Sequence, residues 1–208
     1  MRPISEHFCR KHQRAFSAAL PGLRQVVGTK AFGLHDHQYG AAGNTLRAYR
    51  FPKPPSGVFR TWAANLSGRL STSDLEHHLA SRDAFLHWHA SLARQLQHVW
   101  RRQQGRSLHF AHQFKLVDLF IKWLSEHDFG STSITEGFIM YGNCALDRQV
   151  LAKLNECLSG ALPMPTPSMG NISNEHTYAF CQDLITEFAV SCGGTPLLFD
   201  YYAWRRGG

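Results

Sequence analysis

Residues 114–124, FKLVDLFIKWL, constrain the fold of this chain most strongly. Val117, Phe120, Ile121 and Leu124 fall at i, i+3, i+4 and i+7, the spacing of one helical face. Leu116, Leu119 and Trp123 cover a second flank. A helix that is apolar on most of its sides must lie inside a bundle, with other helices around it. Its polar atoms are confined to one stripe, Lys115, Asp118, Lys122 and Glu126, with Gln113 and Ser125 to the sides. The pattern predicts a helix over residues 110–127.

The rest of the chain reads as helices around that one. Residues 4–19 form an expected first helix with Phe8, Ala15, Phe16 and Ala19 inward. Residues 21–57 carry many Gly and Pro residues and read as irregular, with room for a strand around residues 45–51. Ser73 with Glu76 three residues later has the form of a capping box. Beyond it, apolar positions from Leu75 to Trp100 describe one helix with a break near Ser81, or two in sequence, and Gly105 ends them. Residues 128–146, rich in Gly, Ser and Thr, read as a connection. Asp147 stands where an N-cap would, ahead of Val150, Leu151 and Leu154. Residues 163–167 form a rigid Pro-rich loop. Asn174 opens another helix that ends at Gly193 and Gly194, and Pro196 starts a short terminal one. The expected fold is all-α: one domain over residues 1–208, with a basic N-terminal lobe of about 1–105 and a catalytic helical lobe of about 106–208.

Charge divides the chain the same way. Residues 1–115 hold 17 Lys and Arg against 5 Asp and Glu, and residues 116–208 hold 5 against 10, so a +12 part precedes a −5 part. A basic half points to a polyanionic partner, DNA or RNA. The five cysteines are an odd, scattered set without a CxxC pair, which argues against a disulfide framework and a Cys-rich zinc site. No apolar run is long enough to span a membrane, and the N-terminus lacks a secretory apolar core, so a cytoplasmic protein is expected; a monomer is also expected. Thirteen histidines invite a metal reading. His78 and His89, His87 and His98, and His35 and His37 have suggestive spacings, but no HExxH occurs. No phosphate-binding Gly-rich loop or GxSxG is present either. Neither a metal nor another cofactor is expected.

The residues best placed for chemistry are Lys115, near the start of the apolar helix, and Asp147, at the start of a later one. Partial burial and a helix N-terminus disfavour an ammonium and favour the nucleophilic amine. A carboxylate beside it would stabilise positive charge developing on a sugar. The same residues also fit a plain salt-bridge ladder (Lys115, Asp118, Lys122, Glu126) and a plain cap at Asp147.

The segments FKLVDLFIKWL and CALDRQVL resemble the core of the helix–hairpin–helix DNA glycosylase superfamily, above all the archaeal-type 8-oxoguanine glycosylase/lyase branch and its bacterial relatives. The resemblance runs from His112 to Arg206. It implies Lys115 as Schiff-base nucleophile, Asp147 as its electrostatic partner, Lys122 as a second lysine that tunes or replaces the first, and Asp200 in PLLFDYYAWRR as a reader of the base. One glycine, Gly105, stands where the family's hairpin has two. The resemblance implies double-stranded DNA as partner, a flipped base as substrate, and base excision coupled to strand-cleaving lyase activity. Oxidised guanine is the first expected substrate. A glucosylated hydroxymethylcytosine of phage DNA is the alternative, since some bacterial relatives act against phage. A DNA-binding module without enzymatic activity is the reading from another class. Trp62 and Trp204, with Phe199 and Tyr201, are candidate surfaces for the extruded base, although such aromatics are more often core. Arg101, Arg102 and Arg106 are candidate contacts to the DNA backbone.

Overall fold

A computed structural model describes residues 4–32, 38–41, 45, 54–164 and 166–205. The fold is mainly helical, as the sequence predicts. After a 3-10 turn at Ile4–His7, the described helices are α1 (Arg10–Arg24), α2 (Pro55–Ser67), α3 (Thr72–His78), α4 (Arg82–Gln104), α5 (Phe110–Ser125), α6 (Thr132–Tyr141), α7 (Arg148–Cys157), α8 (Glu175–Ser191) and α9 (Pro196–Ala203). Two short strands, β1 (Lys30–Ala31) and β2 (His127–Asp128), pair in parallel. No described helix is long and apolar enough to cross a membrane. The strand expected around residues 45–51 falls almost wholly outside the described residues.

The apolar helix is α5, and it is buried as its sequence demands. Leu116, Val117, Phe120, Ile121, Trp123 and Leu124 all lie in one core cluster that joins residues from Phe8 to Ala203. Each such side chain stabilises the fold by about 1.5–3 kcal/mol relative to exposure. α4 packs alongside α5. The link between them is residues 105–109, opened by Gly105 at φ +71°, whose amide donates to the Arg101 carbonyl at 2.9 Å. That left-handed position is the C-terminal stop expected of a glycine there. At the other end of α5, the incoming chain before β1 meets carbonyls the helix cannot satisfy itself. Gly28 N–H donates to Ser125 and Thr29 N–H to Glu126, at 2.8 and 3.0 Å. α9 closes the bundle, packing against α1, α6, α7 and α8.

Three local expectations are corrected, and a fourth, the break near Ser81, stands. The capping box belongs to Ser71 and Asp74, not Ser73 and Glu76: Asp74 N–H donates to Ser71 Oγ at 3.1 Å and Ser71 N–H returns to Asp74 Oδ2 at 3.0 Å. Glu76 instead accepts from Ser131 Oγ at 2.9 Å. α1 begins at Arg10 and runs through Pro21 to Arg24, with Ala15 exposed. Pro21 gives up a helical N–H and crowds the carbonyl of Ser17, and buried Leu23 holds the turn that follows onto the core. Residues 128–146 are not merely a connection, since α6 lies within them. Ile134 and Phe138, one turn apart, anchor that helix, and Gly137 brings it against Leu79. Finally, Ser81 divides the long helical stretch, capping α4 through a bond from Ala84 N–H at 3.1 Å.

The α6 contact generates a test. A Cβ on Gly137 would lie 2.7 Å from Leu79 Cβ and 3.0 Å from its carbonyl oxygen, whereas one on Gly57 of α2 meets nothing within 4 Å. Gly137→Ala is expected to destabilise by about 1–3 kcal/mol through overpacking. Gly57→Ala is expected to be neutral or to stabilise by up to about 1 kcal/mol. Urea unfolding of both variants checks the pair of signs.

Candidate active site

α5 and the buried segment after α6 build the site. Lys115 lies in the second turn of α5. Asp147 is the N-cap of α7, in the extended conformation a cap requires. The two come together across the fold, with Nζ 3.5 Å from Oδ2 and side chains 12% and 9% exposed. The two oxygens of Asp147 have separate tasks. Oδ1 accepts the Val150 N–H at 2.9 Å, and Oδ2 faces the lysine. The carboxylate therefore sits between an ammonium-bearing side chain and the positive end of a helix. A pair this far from water is held by geometry; removing one charge leaves the other uncompensated.

The stripe on α5 is not a surface ladder. Each of its charged groups meets a different element. Asp118 is fully buried and takes two bonds, one shared with His89 Nε2 of α4 and one from Tyr178 OH of α8, both at 2.8 Å. Burial raises the Asp118 carboxyl above its ordinary range against the opposing pull of His89. The same Asp118 and burial push the Tyr178 phenol up. Lys122 pairs with Asp200 of α9 and lies over the Tyr201 ring, 4.4 Å from its centroid. Glu126 pairs with Lys30 of β1. The partner of Lys122 is thus Asp200 and not a neighbour on the same stripe. Asp118 points inward because Phe85, His89 and Leu92 place a histidine on the buried face of α4.

Residues 142–147 are all buried yet not helical, so their backbone groups need outside partners. Gln182 of α8 serves Cys144 at both ends, accepting its N–H at 3.2 Å and donating to its carbonyl at 2.7 Å. Asp200 Oδ2 accepts the Ala145 N–H at 2.6 Å and lies 3.6 Å from the Cys144 thiol. Burial, and then Asp200, push that thiol well above its ordinary range, so it is an inert neighbour rather than a nucleophile. Asn143 donates to Tyr178 OH at 3.1 Å and accepts from Arg82 at 3.2 Å. This polar frame delivers Asp147 to Lys115. Sequence reasoning missed Asn143, Tyr178 and Gln182 as its members, since partners 35 and 38 residues apart leave no spacing signal.

The remaining candidates divide. Asp200 is completely buried with both oxygens engaged, so its expected part as a reader of the base is corrected to that of an anchor for Lys122 and Ala145. Trp62 is 3% exposed and packs on Phe59 and Phe120, which corrects its expected stacking role to a core one. Phe199 is likewise core. Trp204, by contrast, is 49% exposed. With Leu119, Lys122, Trp123, Glu126 and Tyr201 it lines a cavity of about 490 Å³. Arg101, Arg102 and Arg106 are exposed around the α4–α5 link, Arg101 donating to Ser107 Oγ at 2.8 Å. Among the described residues no group of three or more His, Cys, Asp or Glu side chains is arranged to hold a metal. His35 and His37 lie outside them. No protein-family model, curated protein or solved structure matches the chain.

His112 lies one turn before Lys115. Burial first, then His109 and Lys115, push its ring down to about 4, so it is neutral at pH 7. The unfolded chain takes up a proton there as pH falls below about 6.5, and the folded chain refuses it until about 4. The contribution of this residue to stability is therefore complete above about pH 6.5 and is lost as pH falls through that window. Thermal melts from about pH 7 to about pH 4.5 are expected to fall more steeply for the parent than for His112→Gln. Parallel profiles would remove the burial argument.

Proposed function

We propose that the protein is a DNA glycosylase that forms a Schiff base through Lys115. The observation that carries this reading is the Lys115–Asp147 pair, an amine 3.5 Å from a carboxylate, nearly buried, at the starts of two helices. Lys115 Nζ attacks C1′ of an extruded nucleotide, and the bond from C1′ to the base breaks with its electron pair leaving on the base. Asp147 Oδ2 stabilises the positive charge on the sugar as that bond breaks. Once the C1′–Nζ bond has formed and that charge is gone, the same carboxylate takes the proton that the new ammonium must lose. Ring opening of the amine adduct then yields the iminium, from which a lyase step follows.

The surroundings fit that chemistry. Lys122 is held by Asp200 and is the less available of the two lysines. The cavity beside Lys122, walled by Trp123, Tyr201 and Trp204, has the flat apolar sides a base requires. Arg101, Arg102 and Arg106 stand at the exposed link before α5, where a phosphate backbone would pass. The partner in this reading is double-stranded DNA carrying a modified base; the fold leaves the identity of that base to assay.

Incubation with duplexes carrying 8-oxoguanine or glucosylated hydroxymethylcytosine, in the presence of borohydride, is expected to give a covalent protein–DNA adduct. Lys115→Gln is expected to abolish it while still binding an abasic-site analogue. Asp147→Asn keeps the cap, since Asn caps about as well as Asp. It is expected to stay folded with some loss of stability from the uncompensated Lys115 charge, yet to excise at least about a hundredfold more slowly, the scale of a lost electrostatic stabiliser. Excision at the parental rate by either variant would reduce the pair to a structural contact.

A further inference from the structure

A second site lies on the other flank of α4, away from the catalytic pair. Gln97 of α4 faces α5, bonding Gln113 at 3.2 Å and the Leu108 carbonyl at 3.0 Å. Arg94, His98 and Arg102 follow one another at single-turn intervals along an exposed face of the same helix. Together with Arg69 and Asn65 they border a cleft of about 710 Å³ between α2 and α4. No carboxylate lines this cleft, and among the described residues none of the three arginines is ion-paired. Three unneutralised guanidinium groups on one concave surface set up a positive potential that attracts an anion.

The cleft does not end there. Leu66, Arg69 and Gln95 also wall an adjoining hollow of about 600 Å³, so the two form one trough. The second hollow has a buried floor of Trp88, Leu92 and Phe120, and the rings it leaves open to an occupant are those of His77, His78 and His87. His78 stacks on Trp88 at 5.1 Å with the rings 7° from parallel. Burial, then His77, lower the affinity of His78 for a proton, which favours the flat neutral ring. The single acid on this wall, Asp74, is engaged by Ser71. Neither Lys115, Asp147, Lys122 nor Asp200 contributes to the trough.

We propose that the trough between α2, α3 and α4 binds an unpaired nucleic-acid strand, its phosphates on Arg69, Arg94 and Arg102 and one base in the hollow beside His78 and Trp88. A basic track joined to an aromatic platform is the combination that single strands require. A duplex keeps its bases stacked and has none to offer the hollow. The site is separate from the Schiff-base reading and does not depend on it.

Fluorescence anisotropy of the full chain with a labelled oligothymidylate of about ten nucleotides tests this, with oligouridylate and an abasic deoxyribose-phosphate chain of equal length beside it. The parent is expected to bind thymidylate, uridylate or both, and oligodeoxyuridylate of the same length, which differs from the uridylate in its sugar alone, shows which sugar the trough favours. Arg69→Glu with Arg94→Glu is expected to weaken that binding by about tenfold or more, and the milder Arg69→Gln with Arg94→Gln by less. The abasic chain is expected to bind about tenfold more weakly than the base-bearing one, the scale of one lost stack. Absence of binding to both oligonucleotides, unchanged affinity in the folded double variants, or equal affinity for the abasic chain would each overturn the proposal. Borohydride trapping at Lys115 is read separately, so failure of one site leaves the other standing.

Discussion

A helix buried on nearly all sides must find a partner for every charge it carries. That requirement on α5 organises this protein. Lys115, Asp118, Lys122 and Glu126 reach four different elements: the cap of α7, the α4–α8 pair His89 and Tyr178, Asp200 of α9, and Lys30 of β1. Apolar burial collapses the bundle without choosing directions. The ion pairs and hydrogen bonds specify which helix stands opposite which, because a misplaced neighbour would strand a buried charge.

Two of those pairs converge on one short segment. Asp200 binds Lys122 with one oxygen and the Ala145 amide with the other, and Asp147, two residues further on, meets Lys115. Lys115 directly, and Lys122 through Asp200, thus hold the same extended loop at points two residues apart. The grip near Lys122 is structural. The grip near Lys115 leaves an amine and a carboxylate facing each other at 3.5 Å, which is the arrangement the proposed chemistry uses.

Much of this was legible in the sequence where local rules decide. The period of residues 114–124, the stop at Gly105, and the caps at Asp147 and Asn174 are written in residue type and spacing, and each stands as expected. The nearness of Lys115 to Asp147 came through a resemblance, because nothing local connects residues on two helices with α6 between them. The failures have one cause. Residue type alone points Asp118 to a salt-bridge ladder and Trp62 and Asp200 to a base. Burial alone decides such cases, and all three are inside. α6 was hidden for a related reason: Gly, Ser and Thr composition outweighed the single pair Ile134 and Phe138, and Gly137 is there for contact with Leu79 rather than for a turn.

The account stands on the claim that Lys115, and not Lys122, forms the covalent bond with the sugar. Lys122 is tied to Asp200 and covered by Tyr201, whereas Lys115 has a single, longer contact with the carboxylate that would assist it. Mass spectrometry of the borohydride-trapped, protease-digested adduct measures this directly. The account expects the added mass on the peptide fragment containing Lys115, with Lys122 unmodified; an adduct placed on Lys122 would contradict it.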